Sequence, residues 1–197
     1  MAIQKNNILL KGLQQRVSHP RLTEPAPTAE ELQQAYAAAY RSPDHAWLRP
    51  WRFLECRGVE REALGELLAS GMVVSQPDIA DAQLEKLKQG PLRAPLVIVC
   101  YAKLTEHPKV PFIEQLLSVG CAVNNLSSAL YALGYGSVWR TGDAAYSSDV
   151  HKQLKFGSDE VIVGYLYIGT SMAEDKAIPE LNDADYVKSL SDHLKSE

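Results

Sequence analysis

A long uncharged segment constrains the fold of this chain more than any other part of its sequence. No charged residue occurs from Gln115 through Trp139, and apolar residues recur there at intervals of three and four. This spacing predicts a helix, and a helix that is apolar almost all round is expected to be buried. Asn124 and other polar residues interrupt the apolar run, which is therefore too short to span a membrane.

The predicted core helix ends in a glycine-rich turn that leads into a short strand. Gly134 and Gly136 stop the helix, and residues 137–139 have the composition of a strand. Ligands of α/β folds bind where strands end, so Arg140 and Thr141 are candidate binding residues. A surface arginine at a strand end explains the same pattern equally well.

The remaining sequence predicts one α+β domain with three layers. Apolar and β-branched residues predict four strands, at residues 52–56, 95–101, 137–139 and 160–169. In the last of these, Val161, Val163, Tyr165 and Tyr167 alternate with the other apolar residues and are expected on one face. Besides the core helix, the sequence predicts helices at residues 3–15, 28–40, 61–72, 79–88 and 148–154.

Composition and charge narrow the possible partners and the compartment. Apolar residues make up 46% of the 197 residues and charged residues 22%, which is an ordinary globular balance. The net charge of −4 argues against nucleic acid or an anionic membrane as the main partner. Three widely spaced cysteines and five scattered histidines predict neither disulfides nor a metal site. With no signal-peptide pattern, we expect a soluble cytoplasmic protein.

Two further segments carry candidate binding residues. Arg16 and Ser18 follow the first predicted helix, and a cation two residues from a hydroxyl suits a phosphate. Taken alone, Arg16 is better explained as a solvated cation at a helix C-terminus, where the helix dipole favours it. His45 shares a loop with Trp47 and Trp51, which form either an aromatic wall for a planar ligand or an anchor for the loop itself.

In combination, these segments resemble the flavin-dependent nitroreductase family, and most closely its compact bacterial NAD(P)H nitroreductases. The resemblance covers about residues 8–187. It rests on Leu-x-x-Arg-x-Ser at residues 13–18, Pro-Asp-His-x-x-x-x-Pro-Trp-x-Phe at 43–53, Gly-x-Gly-x-x-Trp-Arg-x-Gly at 134–142 and Ile-Val-Gly-Tyr-Leu-Tyr-Ile-Gly at 162–169.

The resemblance implies an architecture and an assembly. The expected fold is an α+β three-layer α/β/α sandwich with a mostly antiparallel central sheet, formed by a single domain over residues 1–197. Two such chains would interlock as a homodimer with FMN sites across the interface. Residues 171–197, a polar segment too poor in apolar residues to fold alone, would form an arm that reaches the partner subunit around Tyr186 and Val187.

The resemblance also implies a function and a set of binding residues. The function is that of an FMN-dependent NAD(P)H oxidoreductase, which passes hydride from NADH or NADPH through the flavin to a nitroaromatic, quinone or similar electrophile. The flavin carries this chemistry, so no catalytic side chain is implied. The implied FMN-binding residues are Arg16, Val17, Ser18, His45, Arg49, Trp139, Arg140 and Thr141. The segment implied to contact the nicotinamide nucleotide is Ala129, Leu130, Tyr131, Ala132, Leu133 and Gly134.

Two positions depart from the family pattern, and other functions remain open. Val17 stands where relatives often carry a second basic residue, and Arg49 stands where glutamine is common. A dehydrogenase or dehalogenase of the same fold, acting on a specific metabolite, is an alternative within the enzymes. A flavin-binding carrier or sensor without turnover is the alternative from another class, and a pure interaction module is the third.

Overall fold

The computed structural model of the protein describes residues 7–172 and 177–195. The helices are α1 (Asn7–Gln15), α2 (Ala29–Ala39), α3 (Val59–Ser75), α4 (Asp81–Gln89), α5 (Phe112–Ala132), α6 (Asp143–Tyr146), α7 (Ser148–Gln153) and α8 (Leu190–His193). The strands are β1 (Leu22–Thr23), β2 (Trp51–Arg57), β3 (Leu96–Lys103), β4 (Gly136–Arg140) and β5 (Glu160–Ser171). Residues 3–6 of the predicted first helix, and residues 173–176, 196 and 197 of the predicted arm, lie outside the described residues.

The five strands form one antiparallel sheet. Its order is β1–β5–β3–β2, and β4 also pairs with β5. The sheet implied by the family resemblance is therefore confirmed. The sequence predicts every strand except β1, because two residues are too few to show an alternating pattern. The pairing of Leu22 with Ser171 fixes the chain that follows α1 to the end of β5.

Helices cover both faces of the sheet and create two cores. On one face, α2 and α5 pack against alternate residues of β3, including Leu96 and Ile98. On the other face, α3, α6 and α7 pack against the intervening residues of β3, including Val97 and Val99. Burial on both faces explains why the sequence of β3 is a continuous apolar run. The three-layer α+β architecture is confirmed.

A bulge in β5 changes the face on which its side chains lie. Cys100 pairs with Gly164 but the next residue, Tyr101, pairs with Ile162, so β5 holds one extra residue there. Val163 packs on the α5 side of the sheet, whereas Tyr165 packs on the α3 side. The prediction that residues 161, 163, 165 and 167 share one face is therefore wrong, because a bulge shifts the alternation by one residue.

The uncharged segment does form the central helix, but α5 is not buried all round. Its core-facing residues, such as Leu126 and Leu130, are fully buried. On the opposite side, Ile113 is 61% exposed and Leu117 is 62% exposed. The prediction of complete burial is wrong for a single chain, since periodicity does not reveal which face has a neighbour. In the described part of the chain, no helix is long and apolar enough to cross a membrane.

Candidate functional site

The segment with Arg16 and Ser18 is fastened to the middle of the fold. It follows α1 directly, and the backbone N–H of His19 donates a hydrogen bond to the carbonyl oxygen of Ser137, 2.9 Å away. The hydroxyl of Ser137 is buried and lies 2.7 Å from the hydroxyl of Ser127 on α5. Two hydrogen bonds therefore connect the candidate phosphate-binding segment to β4 and connect β4 to the core helix.

His19 supplies an unsatisfied polar atom next to this segment. The residue is only 4% exposed, and its Nδ1 is buried without a hydrogen-bond partner in the described chain. Its ring packs so closely on β4 that a Cβ at Gly136 would lie 3.1 Å from the Cβ of His19 and 2.9 Å from Leu22 Cδ2. A larger residue at position 136 would therefore require Leu22 and His19 to shift, so the close approach of these chains favours glycine there.

Trp139 and Arg140 point to opposite faces of the sheet, as successive strand residues do. The indole Nε1 of Trp139 donates to the carbonyl oxygen of Val163, 3.3 Å away, beside the bulge of β5. The guanidinium carbon of Arg140 lies 5.9 Å from the ring centre of Tyr167. Thr141 follows them and is exposed.

A second arginine, Arg93, acts on the same tyrosine. Burial raises the pKa of Tyr167, and the positive charges of Arg140 and Arg93 partly oppose that rise. Burial also raises the pKa of the neighbouring Tyr165, whose hydroxyl is buried without a partner in the described chain. Two cations, Arg140 and Arg93, therefore lie near the buried phenol of Tyr167.

The loop with His45 and Arg49 is held at both ends by polar side chains. Asn125 of α5 donates to the Ser42 hydroxyl at 3.0 Å, and that hydroxyl donates to the carbonyl oxygen of Ala39. Further along, the backbone N–H of Arg49 donates to the Asp44 carboxylate at 2.8 Å. Positive φ angles occur within the loop at Ala46, Trp47 and Arg49. The loop is therefore strained and fastened, a combination often found at ligand sites.

The loop separates three surface depressions, and His45 and Arg49 line different ones. His45 borders a small depression of about 150 Å³, where its Nδ1 lies 3.7 Å from Glu114. Arg49 lines a larger depression of about 460 Å³. Pro43, at the start of the loop, shares an apolar groove of about 580 Å³ with Trp139. In a single chain, the loop thus reaches Trp139 through Pro43 only.

The segment implied to contact the nicotinamide nucleotide forms the last turn of α5 and the residues after it. Leu130 is fully buried in the core, so its side chain serves packing. Ala132 and Gly134 are exposed. Directly after the segment, the hydroxyl of Tyr135 donates to the Glu31 carboxylate on α2, 2.7 Å away. Only part of this segment is therefore accessible to a ligand.

Comparison with known proteins decides the family. The sequence profile of the nitroreductase family matches residues 13–170. This chain belongs to the nitroreductase family. It is 40% identical over 161 residues to the Escherichia coli K12 protein named "Putative NAD(P)H nitroreductase YdjA", with 82% of this chain and 87% of that protein aligned.

Solved structures agree on the nitroreductase fold. A nitroreductase-like family protein from Bacillus cereus superimposes with a TM-score of 0.79 at 18% identity, over 96% of this chain and 99% of that chain. A Desulfovibrio desulfuricans protein, crystallised in complex with FMN, superimposes with a TM-score of 0.72 at 18% identity, over 94% and 98% of the two chains. These structures show the nitroreductase fold, and membership of the family makes the chain an oxidoreductase.

The family motifs identify the ends of the site but not the residues that hold it together. The predicted site residues do not include Arg93. They also do not include the residues whose side chains form hydrogen bonds between these segments, which are Ser42, Asn125, Ser127 and Ser137. The available signal was the presence of asparagine and serine inside an otherwise apolar helix, where each needs a buried partner. Among the described residues, no group of three or more His, Cys, Asp or Glu side chains could hold a metal ion.

Proposed function

We propose that this chain is an FMN-dependent NAD(P)H oxidoreductase that reduces nitroaromatics, quinones or similar electrophiles. The observation that carries the proposal is the hydrogen bond between His19 and Ser137. Through it, Arg16 and Ser18 of one family motif are fastened to the strand that carries Trp139 and Arg140 of another. Cations and hydroxyls from two distant parts of the sequence thus flank one backbone hydrogen bond, and a phosphorylated cofactor needs such groups close together.

The residues that flank this hydrogen bond fit FMN. Arg16 and Ser18 would hold its phosphate, with Val17 contributing backbone, and Trp139, Arg140 and Thr141 would complete the site. The unpartnered Nδ1 of His19 lies in the same region and can receive a hydrogen bond from a bound group or an ordered water. The FMN complex of the Desulfovibrio desulfuricans protein, which shares the fold, supports the same cofactor here.

The protein contributes placement and charge to the reaction. Bound FMN supplies the redox chemistry, the transfer of a hydride from a nicotinamide to an acceptor. Cations and hydrogen-bond donors near the edge where negative charge develops favour the reduced cofactor. His45 and Arg49 would supply such contacts to the flavin of the partner subunit. We assign no side chain as a general acid, since water can protonate the product.

The nicotinamide nucleotide, NADH or NADPH, would contact the accessible part of residues 129–134. Ala132 and Gly134 are exposed there, and their backbone can approach a ligand closely. The other residues of the segment would support this surface by packing next to it or beneath it; they are Ala129, Leu130, Tyr131 and Leu133.

We further propose that a second copy of this chain covers the apolar surface that the single chain leaves exposed. The exposed stripe of α5 is one part of this surface, and α1 is another, with Ile8 84% exposed. Tyr186 and Val187 of the C-terminal arm are exposed as well. A shared interface above about 2,000 Å², as in obligate dimers, would cover these residues and bring the loop of one subunit to the cofactor of the other.

Cofactor content and anaerobic turnover test the proposed function. The purified protein should be yellow with one FMN per chain, and it should oxidise NADH or NADPH without oxygen when a nitroaromatic is present. Binding of FMN without nucleotide oxidation would instead favour a carrier or sensor. A colourless protein that does not bind added FMN would refute the proposal.

A further inference from the structure

The depression lined by Arg49 has a composition that the FMN contacts do not explain. It lies between the end of α2 and the start of β2 and has a volume of about 460 Å³. We call it the arginine pocket, and its lining includes two cations, Arg41 and Arg49, and three aromatic side chains, Tyr40, Trp47 and Trp51. Cations next to aromatic faces form a surface that binds planar anions.

The two guanidinium groups have no acidic partner among the residues that the structure describes. Within residues 7–172 and 177–195, neither Arg41 nor Arg49 forms an ion pair with a carboxylate within 4.0 Å. The one acid in the pocket lining, Asp44, accepts a hydrogen bond from the backbone N–H of Arg49. The pocket therefore contains the two positive charges of Arg41 and Arg49 and the one negative charge of Asp44. Its net charge is positive, which favours binding of an anion.

Trp47 is presented to solvent rather than packed into the core. It is 80% exposed, and the guanidinium carbon of Arg49 lies 5.5 Å from its ring centre. Both residues have positive φ angles, 57° and 49°, and non-glycine residues keep such strained backbone only where the surrounding structure holds it. Strained backbone that exposes an indole beside an arginine indicates that the indole binds something other than its own chain.

The pocket adjoins the proposed cofactor site. Ser42 lines the pocket and accepts a hydrogen bond from Asn125, and Asn125 lines the apolar groove of Trp139. One short segment, Ser42 and Pro43, therefore separates the pocket from the groove that contains Trp139. A molecule in the pocket lies beside the loop that we assign to the flavin of the partner subunit.

We propose that the arginine pocket selects aromatic acceptors that carry a carboxylate over neutral aromatic acceptors. This proposal rests on the proposed function and names its substrate class. The aromatic ring stacks on Trp47, and Arg41 pairs with the carboxylate, with Arg49 adding a second positive charge. Position 49 thus contributes to acceptor choice as well as to the cofactor environment.

A matched pair of acceptors isolates the charge. 4-Nitrobenzoate and 4-nitrobenzamide share the nitro group and a para carbonyl and differ by one negative charge. In each first turnover, NAD(P)H and one proton convert the nitro group to a nitroso group and release water, so the nicotinamide is oxidised by two electrons. With the FMN-loaded protein and no oxygen, we expect kcat/KM for the nitrobenzoate to exceed that for the nitrobenzamide about tenfold.

Variants of Arg41, which is exposed and outside the proposed FMN contacts, assign the preference to the pocket. Arg41→Gln should lower the benzoate-to-benzamide ratio about fivefold, mainly through a higher KM for nitrobenzoate. Arg41→Lys should retain most of the preference for nitrobenzoate. Lys86→Gln, which removes an exposed charge from α4, should leave the ratio unchanged. Added salt should lower the ratio in the wild-type protein more than in Arg41→Gln, because exposed charges are screened.

A binding measurement tests the pocket without turnover. Benzoate should quench tryptophan fluorescence at lower concentration than benzamide, and Arg41→Gln should reduce the difference. Equal kcat/KM values for the two acceptors, a ratio that Arg41→Gln does not change, or equal binding of benzoate and benzamide would each overturn the proposal. A protein that binds benzoate selectively but reduces neither acceptor would support the pocket and refute the proposed function.

Discussion

The backbone N–H of His19 and the carbonyl oxygen of Ser137 are 2.9 Å apart and join two segments that are more than one hundred residues apart in sequence. The first segment carries Arg16 and Ser18, and the second leads to Trp139 and Arg140. A single backbone hydrogen bond contributes only about 1 kcal/mol to stability, but this one joins the two motifs directly. The following predictions depend on that arrangement and on the surfaces around it.

Replacing Arg16 by alanine should weaken FMN binding. A charge-assisted hydrogen bond to a phosphate contributes about 1.5–3 kcal/mol, so the dissociation constant should rise roughly 10-fold to 150-fold. Fluorescence titration of the apoprotein with FMN measures it. Lys11→Ala, which removes a similar charge from an exposed position on α1, the helix before Arg16, is the control and should have little effect. Equal losses in both variants would mean that Arg16 acts only through general charge.

Replacing Arg49 by glutamine should lower the two-electron midpoint potential of bound FMN. A guanidinium within about 6 Å of the flavin pyrimidine edge contributes roughly 3 kcal/mol at an effective dielectric constant near 20. Since 1.4 kcal/mol corresponds to about 30 mV for a two-electron couple, and solvent screens an exposed arginine, the shift should be a few tens of millivolts. A xanthine-oxidase-coupled titration of both proteins at one pH and salt concentration measures it.

The result also separates two roles of Arg49. An unchanged or higher potential in Arg49→Gln, with FMN still bound, would show that the charge does not act on the flavin. A loss of preference for nitrobenzoate in the same variant would then leave the arginine pocket as the function of this residue.

Replacing Leu117 by aspartate should break the proposed dimer. Leu117 is 62% exposed in the middle of the α5 stripe, and burying an unpaired carboxylate in an interface costs several kcal/mol. Light scattering should show dimers of the wild-type protein and monomers of the variant, whose circular dichroism should remain native. Val59→Asp is the control, because Val59 is 75% exposed on the first turn of α3 and should tolerate the change. A flavin-loaded, active wild-type monomer at micromolar concentration would contradict the dimer.

Replacing Gly164 by alanine should destabilise the fold by about 2–4 kcal/mol, through positive-φ strain and overpacking together. Its φ angle is 155°, and a Cβ there would overlap the Trp139 indole and lie 2.8 Å from the carbonyl oxygen of Arg140. Urea unfolding measures the loss. Gly134→Ala is the control, since Gly134 has φ 89° but open space around it, and it should lose only about 1 kcal/mol. Similar losses at both positions would show that backbone strain, not the contact with Trp139, decides the effect.

Local patterns in the sequence determined most elements of this fold. The predicted helix at residues 28–40 forms α2, which begins at a capping box of Thr28 and Glu31 with both hydrogen bonds present. The continuous apolar run of residues 95–101 forms β3, which is buried on both faces. The capping box is a local pattern, and the apolar run depends only on burial. Both kinds of feature can be recognised from the spacing of residue types in the sequence. The four motifs that resemble the nitroreductase family also identify the family from the sequence alone.

The tertiary structure decided what depends on contacts between distant segments. The bulge at Gly164 leaves no local signal, because glycine in a strand is compatible with several causes. The exposed side of α5 carries large apolar residues such as Ile113 and Leu117, as its buried side does, so composition cannot show which side has a neighbour. Arg41 and Arg49 line one pocket only because of the way the loop between α2 and β2 folds back. Side-chain type determines what a residue can bind, but only the packing of the chain determines which residues meet.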